Sequence, residues 1–356
     1  MKKAGFIYLL FFVFPFFAAA QFTIKGKVLD ATTCEPLSEA SVFCQNTTLG
    51  TTTNNDGMFS LQLPGGGYDL IFSYTGYFTK TVRATKNETL EILLVKQEKS
   101  MEEVILTNSF EVKDGWEKYG QFFTDLFIGS TPNAQQCHLV NPEVLKFYFY
   151  KRSQRLKIRA TEPVLIANYA LGYRLSYQLD SFVHYYKTNN SVYSGYCLFT
   201  EIDDCDSLKK IWKANRAMAY EGSKLQFMRS YYDSSVYEDG WVIDMLDKKG
   251  GKKFYRVTNP YDSLYYAGLD STGQIAFWYP RKLSIAYTNK KPEPEYLEKM
   301  NLPKDVEYPI SYIDVTDEIS VMANGYYYPQ QNWLSQGYWS WKNVGDQLPF
   351  DYWPDE

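Results

Sequence analysis

The stretch "LGYRLSYQL", residues 171–179, constrains the fold more than any other part of the sequence. Its large apolar residues occupy every second position, and glycine or polar residues stand between them. Side chains on a β-strand point to alternate faces, so this period is typical of a strand with one buried face. Similar runs recur along the chain, and aromatic residues, which suit pleated sheets, make up 18% of it. The chain is therefore predicted to be mainly β.

Residues 21–96 are predicted to form a small antiparallel β-sandwich. Short alternating runs such as "MFSLQL" and "YDLIFSY" are separated by turn signals at residues 54–57 and 64–67. Asp-Gly and Pro-Gly pairs favour tight turns because glycine accepts positive φ angles and proline fixes its own φ. Short strands joined by such turns are typical of sandwich domains.

Three segments of this N-terminal part carry a family resemblance. They are "GKVLDATTCEPLSEASVF", "TTTNNDGMFSL" and "YDLIFSYTGY", in that order along the chain. Together they resemble the carboxypeptidase-regulatory-like module, a transthyretin-like β-sandwich. This module often precedes outer-membrane receptors and other envelope proteins of Gram-negative, Bacteroidota-type bacteria. The resemblance implies an accessory, non-catalytic module at the start of an envelope protein.

The first twenty residues have the pattern of a signal peptide. Lys2 and Lys3 are followed by an apolar run from residue 4 to 17 and by three alanines at 18–20. The apolar run is too short for a membrane-spanning helix, so export with cleavage between Ala20 and Gln21 is expected. Gln21 offers no thiol for a lipoprotein anchor. The mature chain is expected without a transmembrane segment, in the periplasm or associated with the outer membrane or cell surface.

The remainder of the chain is predicted to contain a linker and a second domain. Residues 97–114 are charged and weakly patterned, which is typical of a linker. Residues 115–356 combine alternating runs with helical patterns, and they predict a β-rich α+β domain with at least one long helix. A short amphipathic helix is expected from Trp116, with Gly129 as its stop. Segments such as "NPEVLKFYFY" and "GYWSWKNVGDQLPFDYWP" resemble the region that follows the module in other exported bacterial proteins, a resemblance that implies no activity.

The long helix is expected within residues 206–233. Asp206 or Ser207 is a suitable N-cap, since either side chain can accept a hydrogen bond from the first free backbone N–H groups. The residues expected to form its buried stripe are Leu208, Ile211, Trp212, Met218 and Leu225.

One pair of residues offers an enzymatic alternative. Ser207 and Lys210 match the S-x-x-K pattern of penicillin-binding enzymes, in which a lysine one turn away activates the serine. No K-T-G, S-D-N or G-x-S-x-G motif accompanies the pair, and helix capping explains the same residues. A peptidase-type hydrolase is thus the alternative to a non-catalytic protein.

The histidines and cysteines predict neither a metal site nor a cofactor. Zinc carboxypeptidases need two histidines and a glutamate on the metal, but His138 and His184 lack acidic partners at a suitable spacing. Cys197 and Cys205 are candidates for a disulfide in an exported chain. Because the chain has five cysteines, at least one thiol must stay unpaired, and buried free thiols are an equal alternative.

The densest aromatic region, near the C-terminus, is the candidate binding surface. Trp339 and Trp341 are predicted to share one strand face beside Tyr338. Exposed aromatic rings would stack on sugars, whereas buried ones would belong to the core, which is the more common fate of large aromatics.

The charge balance limits the partners of the chain. It has 37 basic and 41 acidic residues, and removal of Lys2 and Lys3 changes the net charge from −4 to −6. A nucleic-acid partner would need a concentrated basic face, so none is expected.

The sequence therefore predicts an exported, non-catalytic protein that binds or scaffolds. The expected partner is an envelope protein or a glycan, with carbohydrate binding through the C-terminal aromatics or hydrolysis by Ser207 and Lys210 as alternatives.

Overall fold

The computed structural model describes residues 21–64, 67–97, 110–247, 254–270 and 273–354. The predicted signal peptide at residues 1–20 lies outside the described residues, as does most of the predicted linker at 97–114.

The N-terminal module consists of seven strands in two sheets. In chain order the strands are β1 (Phe22–Asp30), β2 (Ser41–Cys44), β3 (Gly50–Thr52), β4 (Met58–Leu63), β5 (Tyr68–Ser73), β6 (Lys80–Ala84) and β7 (Glu88–Leu94). One sheet has the order β4-β1-β7 and the other the order β3-β2-β5-β6. All pairs are antiparallel except β1 with β7, which run parallel. The predicted β-sandwich is therefore confirmed, with one parallel pair in it.

Alternation along β4 shows how the sequence sets the packing of this module. Phe59, Leu61 and Leu63 are buried, while the residues between them are exposed. Gly57 makes the turn before the strand at φ +72, and a Cβ at this position would lie 2.6 Å from the carbonyl oxygen of Val28. Only glycine suits both the backbone angle and the close approach.

The rest of the chain is also rich in strands. They are β8 (Cys137–Leu139), β9 (Leu145–Tyr150), β10 (Arg155–Ala160), β11 (Val164–Asn168), β12 (Tyr173–Tyr185), β13 (Asn190–Glu201), β14 (Trp241–Leu246), β15 (Phe254–Arg256), β16 (Tyr266–Ala267), β17 (Gln274–Phe277), β18 (Leu283–Tyr287), β19 (Ile310–Val315), β20 (Ile319–Met322), β21 (Tyr327–Tyr328) and β22 (Trp333–Gly337). Five helices are described: α1 (Gly115–Phe127), α2 (Asp206–Tyr220), α3 (Lys224–Tyr232), α4 (Pro294–Lys299) and α5 (Tyr338–Trp341).

These strands form three sheets around two hydrophobic cores. A six-stranded sheet has the order β8-β11-β12-β10-β9, with β13 also paired to β12, and α1 packs its Phe123 and Phe127 into the same core. The second core lies between the sheets β15-β14-β18-β19-β22 and β16-β17-β20-β21, and α3 contributes Phe227 to it. The chain is therefore mainly β, as predicted.

Two predictions from hydrophobic periodicity are confirmed. Leu171, Tyr173, Leu175, Tyr177 and Leu179 are all buried in and beside β12. Helix α1 begins beside Trp116 and ends before Gly129, whose φ of +114 ends the helical path.

The predicted long helix is instead two helices. The chain turns at Gly222, which has φ +74, and Ser223 then caps α3 by accepting a hydrogen bond from the Gln226 N–H at 3.1 Å. Of the expected apolar stripe, Trp212 and Leu225 are buried as predicted, whereas Leu208, Ile211 and Met218 are exposed and the prediction is wrong for these three. The indole N–H of Trp212 donates to the Tyr169 carbonyl at 2.8 Å, and this bond holds the buried ring against the segment that precedes β12.

Candidate functional site

The aromatic residues predicted as a binding surface lie in the second core. Tyr338, Trp339 and Trp341 are 2%, 7% and 4% exposed, and they belong to α5 rather than to a strand. Gly337, at φ +76, turns the chain from β22 into this short helix. The Trp339 indole N–H then donates to the Gly222 carbonyl at 2.9 Å. The predicted strand face is wrong, and these rings offer no exposed platform for a sugar.

A charged network lies next to α5. Lys342 Nζ is 3.0 Å from Glu293 Oε1 and 3.8 Å from Asp346 Oδ1, and Lys290 Nζ is 3.2 Å from the same Glu293 oxygen. The Tyr338 hydroxyl also donates to Glu293 Oε1, at 2.9 Å. The network therefore ties the start of α4 to the segment that follows α5.

Burial and charge act in opposite directions on the two carboxyl groups of this network. Burial alone would raise the pKa of Glu293, but Lys342 and Lys290 together hold it below its ordinary value. For Asp346 burial prevails and raises the pKa, although Lys342 and the Thr131 hydroxyl oppose the shift. Thr131 donates to Asp346 at 2.6 Å, so the network also reaches the segment after α1. Its side chains are engaged with one another, which is typical of a structural role.

Ser207 and Lys210 lie on the first turn of α2, where both are exposed. Their side chains form no hydrogen bond with each other, and the neighbouring Lys209 instead pairs with Asp203 at 2.7 Å. Activation of a serine by lysine needs a direct hydrogen bond and exclusion of water. The surroundings of this pair provide neither.

The two histidines differ in burial, since His184 lies in the interior and His138 lies at the surface. His184 is buried between Phe122 and Tyr186, and its Nδ1 lies 2.9 Å from the Ser191 hydroxyl. Burial lowers the pKa of its imidazole. His138 is exposed on β8. Across the described part of the chain, histidine, cysteine and acidic side chains form no cluster that suits a metal ion.

Cys197 and Cys205 are both free in the structure. Cys197 lies on β13 with its thiol in the first core, where burial raises its pKa well above the ordinary value. Cys205 is exposed at the start of α2. The candidate disulfide is not formed, because one side chain points into the core while the other lies at the surface.

The N-terminal module contacts the rest of the chain through backbone and side-chain hydrogen bonds. The turn after β2 runs parallel to β13, with Thr47 beside Leu198. The Asn46 N–H donates to the Cys197 carbonyl at 2.8 Å, and the Phe199 N–H donates to the Thr47 carbonyl at 2.9 Å. The module therefore makes one isolated parallel bridge with β13 of the six-stranded sheet, held by two backbone hydrogen bonds.

The C-terminal segment closes the other side of this turn. The Phe350 N–H donates to the Asn46 carbonyl at 2.8 Å, and the Thr48 N–H donates to Asp351 Oδ1 at 3.0 Å. Asn46 adopts φ +54, a left-handed conformation that asparagine tolerates better than most residues. We call residues 45–49, with their contacts on β13 and on residues 350–351, the joint.

Arg83 of the module extends the joint on its other flank. Its guanidinium is 3.0 Å from Asp69 Oδ1 and lies over the Tyr328 ring, 4.2 Å from the centroid. A second guanidinium nitrogen lies 3.1 Å from the sulfur of Met322. A cation held over an aromatic ring and paired with a carboxylate gives an oriented contact between the two parts of the chain.

Tyr326 links the remaining polar groups of the joint. Its hydroxyl donates to Asp69 and lies 3.3 Å from Gln45 Oε1. Burial first, and the Asp69 carboxylate second, raise the pKa of Tyr326 far above its ordinary value, so the hydroxyl stays protonated. This cluster could not be predicted from the sequence, because Tyr326 lies more than two hundred residues from Gln45 and Asp69 along the chain. The residues carry no local motif.

The Arg229 side chain binds the backbone of the C-terminal segment. It is 3% exposed and donates to the carbonyl groups of Asn324, Phe350 and Tyr352 at 3.0, 3.2 and 2.7 Å. Its guanidinium also lies 3.7 Å from the centroid of the Trp353 ring. The buried guanidinium of Arg229 therefore fixes the C-terminal segment that contributes Phe350 to the joint.

Comparison with protein families identifies the module. The family model of the CarboxypepD_reg-like domain matches residues 24–106. The N-terminal module is a CarboxypepD_reg-like domain. The match confirms the resemblance predicted for the N-terminal part and extends past the predicted boundary at residue 96. None of the curated proteins matches the chain.

Several solved structures show partial likeness to the chain. A DUF3823 family protein from Bacteroides ovatus is 13% identical, with 52% of this chain and 83% of that one covered at a TM-score of 0.18. A proposed membrane-associated protein of unknown function from Bacteroides fragilis is 11% identical, with 86% and 92% covered at a TM-score of 0.19. A cohesin–X-dockerin complex from Acetivibrio cellulolyticus is 19% identical at a TM-score of 0.18, and the match covers 20% of this chain and 56% of that one. Because each TM-score is low, these likenesses carry no argument about function.

None of the helices in the described ranges combines the length and the apolar character needed to cross a bilayer.

Proposed function

We propose that the mature chain is an exported, non-catalytic protein of a Gram-negative cell envelope that acts by binding or scaffolding. The observation that carries this proposal is the joint, which holds the CarboxypepD_reg-like domain against the rest of the chain by backbone and side-chain hydrogen bonds. Two β-rich parts fixed in this way present one continuous outer surface to a partner. In this proposal residues 21–96 are the docking module and residues 115–356 carry the binding surface.

Export is supported by the pattern of the first twenty residues and by the family of the module. The lysines, the apolar run and the alanines predict cleavage after Ala20. CarboxypepD_reg-like domains often belong to envelope proteins of Bacteroidota, so the proposed location is the periplasm or the outer-membrane or cell-surface side. The partner is an envelope protein or a glycan.

The test combines location with partner capture in intact cells. The full chain and a variant lacking residues 2–20, each with an affinity tag placed after Glu356, are expressed at the native level and crosslinked before fractionation. We expect the full chain to begin at Gln21, to appear in the envelope fraction and to be crosslinked to a partner that the leaderless variant does not capture. An uncleaved full chain in the cytosol, or the same partners for both forms, would contradict the proposal.

The hydrolase alternative predicts a reactive serine. A fluorophosphonate probe and a fluorescent penicillin would label Ser207 in the purified chain and would not label the Ser207→Ala variant. The exposed position of Ser207 leads us to expect no labelling of either protein. Labelling that depends on Ser207 would support the hydrolase alternative.

A further inference from the structure

A groove beside the first turn of α1 is separate from the joint and from the charged network. It is open to solvent and has a volume of about 320 Å³, at the low end of the range of about 300–1,000 Å³ that is usual for small-molecule sites. Its floor is formed by the buried residues Leu145 and Phe147, and one wall is the ring of Trp116. Pro142 also lines the groove.

Two glycines permit close packing at this groove, Gly120 against the Trp116 ring and Gly115 against Phe147. A Cβ on Gly120 would lie 2.7 Å from the indole, so the ring rests directly against the backbone of the next helical turn. A Cβ on Gly115 would lie 2.6 Å from the side chain of Phe147, so the helix begins directly on the floor of the groove. The indole thus packs against the helix backbone, and 38% of Trp116 remains exposed. A packed ring binds a ligand at a lower entropic cost than a mobile one.

The rim of the groove carries two acidic and two basic side chains. They are Glu111, Glu143, Lys113 and Lys146. None of the four forms an ion pair or a side-chain hydrogen bond with another residue in the described ranges. Carboxylates accept hydrogen bonds and ammonium groups donate them, so the rim offers both functions to a ligand. The two pairs of charges sum to zero, so the groove has no net charge that would attract an anion or a cation.

From this combination we propose that the groove binds a neutral saccharide. A sugar ring presents an apolar C–H face that suits an indole and a set of hydroxyl groups that both donate and accept. The apolar face suits Trp116 and Pro142, and the hydroxyl groups suit the carboxylates and ammonium groups that line the groove. The inference deepens the proposed binding function, on which it rests, by naming the class of ligand. Because it is tested on purified protein, a failure to bind sugars would leave export and protein partners untouched.

The experiment is isothermal titration calorimetry on the purified chain from Gln21 to Glu356. The probes are maltotetraose, cellotetraose, xylotetraose, mannotetraose and chitotetraose, with a heparin tetrasaccharide as the charged comparison. We expect at least one neutral tetrasaccharide to bind and the heparin fragment to bind more weakly. No binding of any neutral probe, or tighter binding of the heparin fragment, would overturn the proposal.

Three variants locate the binding. Trp116→Ala is expected to weaken the neutral sugar by at least about ten-fold, since stacking on the ring is lost. Trp278→Ala is the matched control, because Trp278 is also 38% exposed but does not line the groove. Glu143→Gln removes one unpaired rim carboxylate without disturbing the packing, and it is expected to weaken binding while leaving the melting temperature unchanged. Equal affinities for the wild type and both groove variants, or an equal loss in Trp278→Ala, would overturn the assignment.

Discussion

At the scale of single residues, the carboxylates of the charged network beside α5 are paired with lysines, and this pairing has consequences for stability. Glu293 and Asp346 are carboxylates taken out of water, and Lys342 lies within 4 Å of both. Removing one partner of a buried ion pair leaves the other charge uncompensated, which costs more than the pair itself contributes. None of these residues could be singled out from the sequence, because isolated lysines and acids usually lie at the surface.

Lys342→Met is expected to destabilise the chain by more than about 1 kcal/mol at neutral pH, because buried Asp346 loses its lysine while Glu293 keeps Lys290. The pKa of Glu293 lies below its ordinary value in the folded chain, so its contribution is present above the unfolded pKa and is lost as the pH falls. The penalty of the variant should therefore shrink in acid, where the carboxyl groups are protonated. Urea unfolding of wild type and variant at several pH values measures this difference.

Lys118→Met is the matched control for that prediction. Lys118 pairs with Asp114 at 2.8 Å, but both side chains are about half exposed, so the variant should cost less than about 1 kcal/mol. Equal losses in the two variants would contradict the proposed role of burial.

A second residue-scale prediction concerns the CarboxypepD_reg-like domain alone. The Tyr77 hydroxyl donates to Asp30 at 2.6 Å, and this bond, with the N–H groups of Thr33 and Thr32, lowers the pKa of Asp30 from 3.8 to about 2. The stabilisation is present above the unfolded pKa and disappears as the pH falls toward about 2. Tyr77→Phe should therefore be less stable than wild type at neutral pH, and the difference should vanish in acid.

Thermal unfolding followed by circular dichroism across this pH range tests the Asp30 prediction. Tyr74→Phe is the control, because Tyr74 packs on the Tyr77 ring at 5.4 Å but does not bond Asp30. A pH-independent difference for Tyr77→Phe would refute the linkage.

At the scale of elements, most strands could be predicted and several ends could not. Alternation in β4 and β12 and the glycine turn at Gly57 are local signals, so the sequence alone predicts them. Burial of Trp339 is the more common of the two expected fates, but the contact that fixes the ring could not be predicted, because the indole binds the carbonyl of Gly222, far away in the chain. The break between α2 and α3 did carry a signal, Gly222 followed by Ser223, but the apolar residues around it favoured one continuous helix. The joint depends wholly on distant contacts and has no signature in the sequence.

Ser223→Ala tests the break between α2 and α3. Its hydroxyl caps α3 through the Gln226 N–H, and loss of an N-cap costs about 1 kcal/mol. Ser223→Asn should retain most of the stability, since asparagine caps helices equally well. Chemical unfolding measures both, and equal losses in the two variants would show that the cap does not matter.

At the scale of the whole molecule, the joint should make the CarboxypepD_reg-like domain and the rest of the chain unfold together. Asn46→Pro removes the N–H that donates to Cys197 and excludes the φ of +54, whereas Asn46→Gly retains both. We expect one calorimetric transition for wild type and Asn46→Gly, and two transitions for Asn46→Pro. Two transitions in the wild type would show that the parts are independent.

The position of Phe350 and Asp351 in the joint imposes an order on the assembly of the molecule. A ribosome delivers the strands of the module first, and these can pair as soon as Leu94 has emerged. The turn at residues 46–48 can contact residues 350–351 only after every described strand has been synthesised, since the Phe350 N–H and the Asp351 carboxylate follow β22 in the chain. A nonsense mutation shortly before codon 350 would therefore leave every described strand encoded and remove only the contacts of Phe350 and Asp351, while the bonds to β13 and the contacts of Arg83 and Tyr326 would remain.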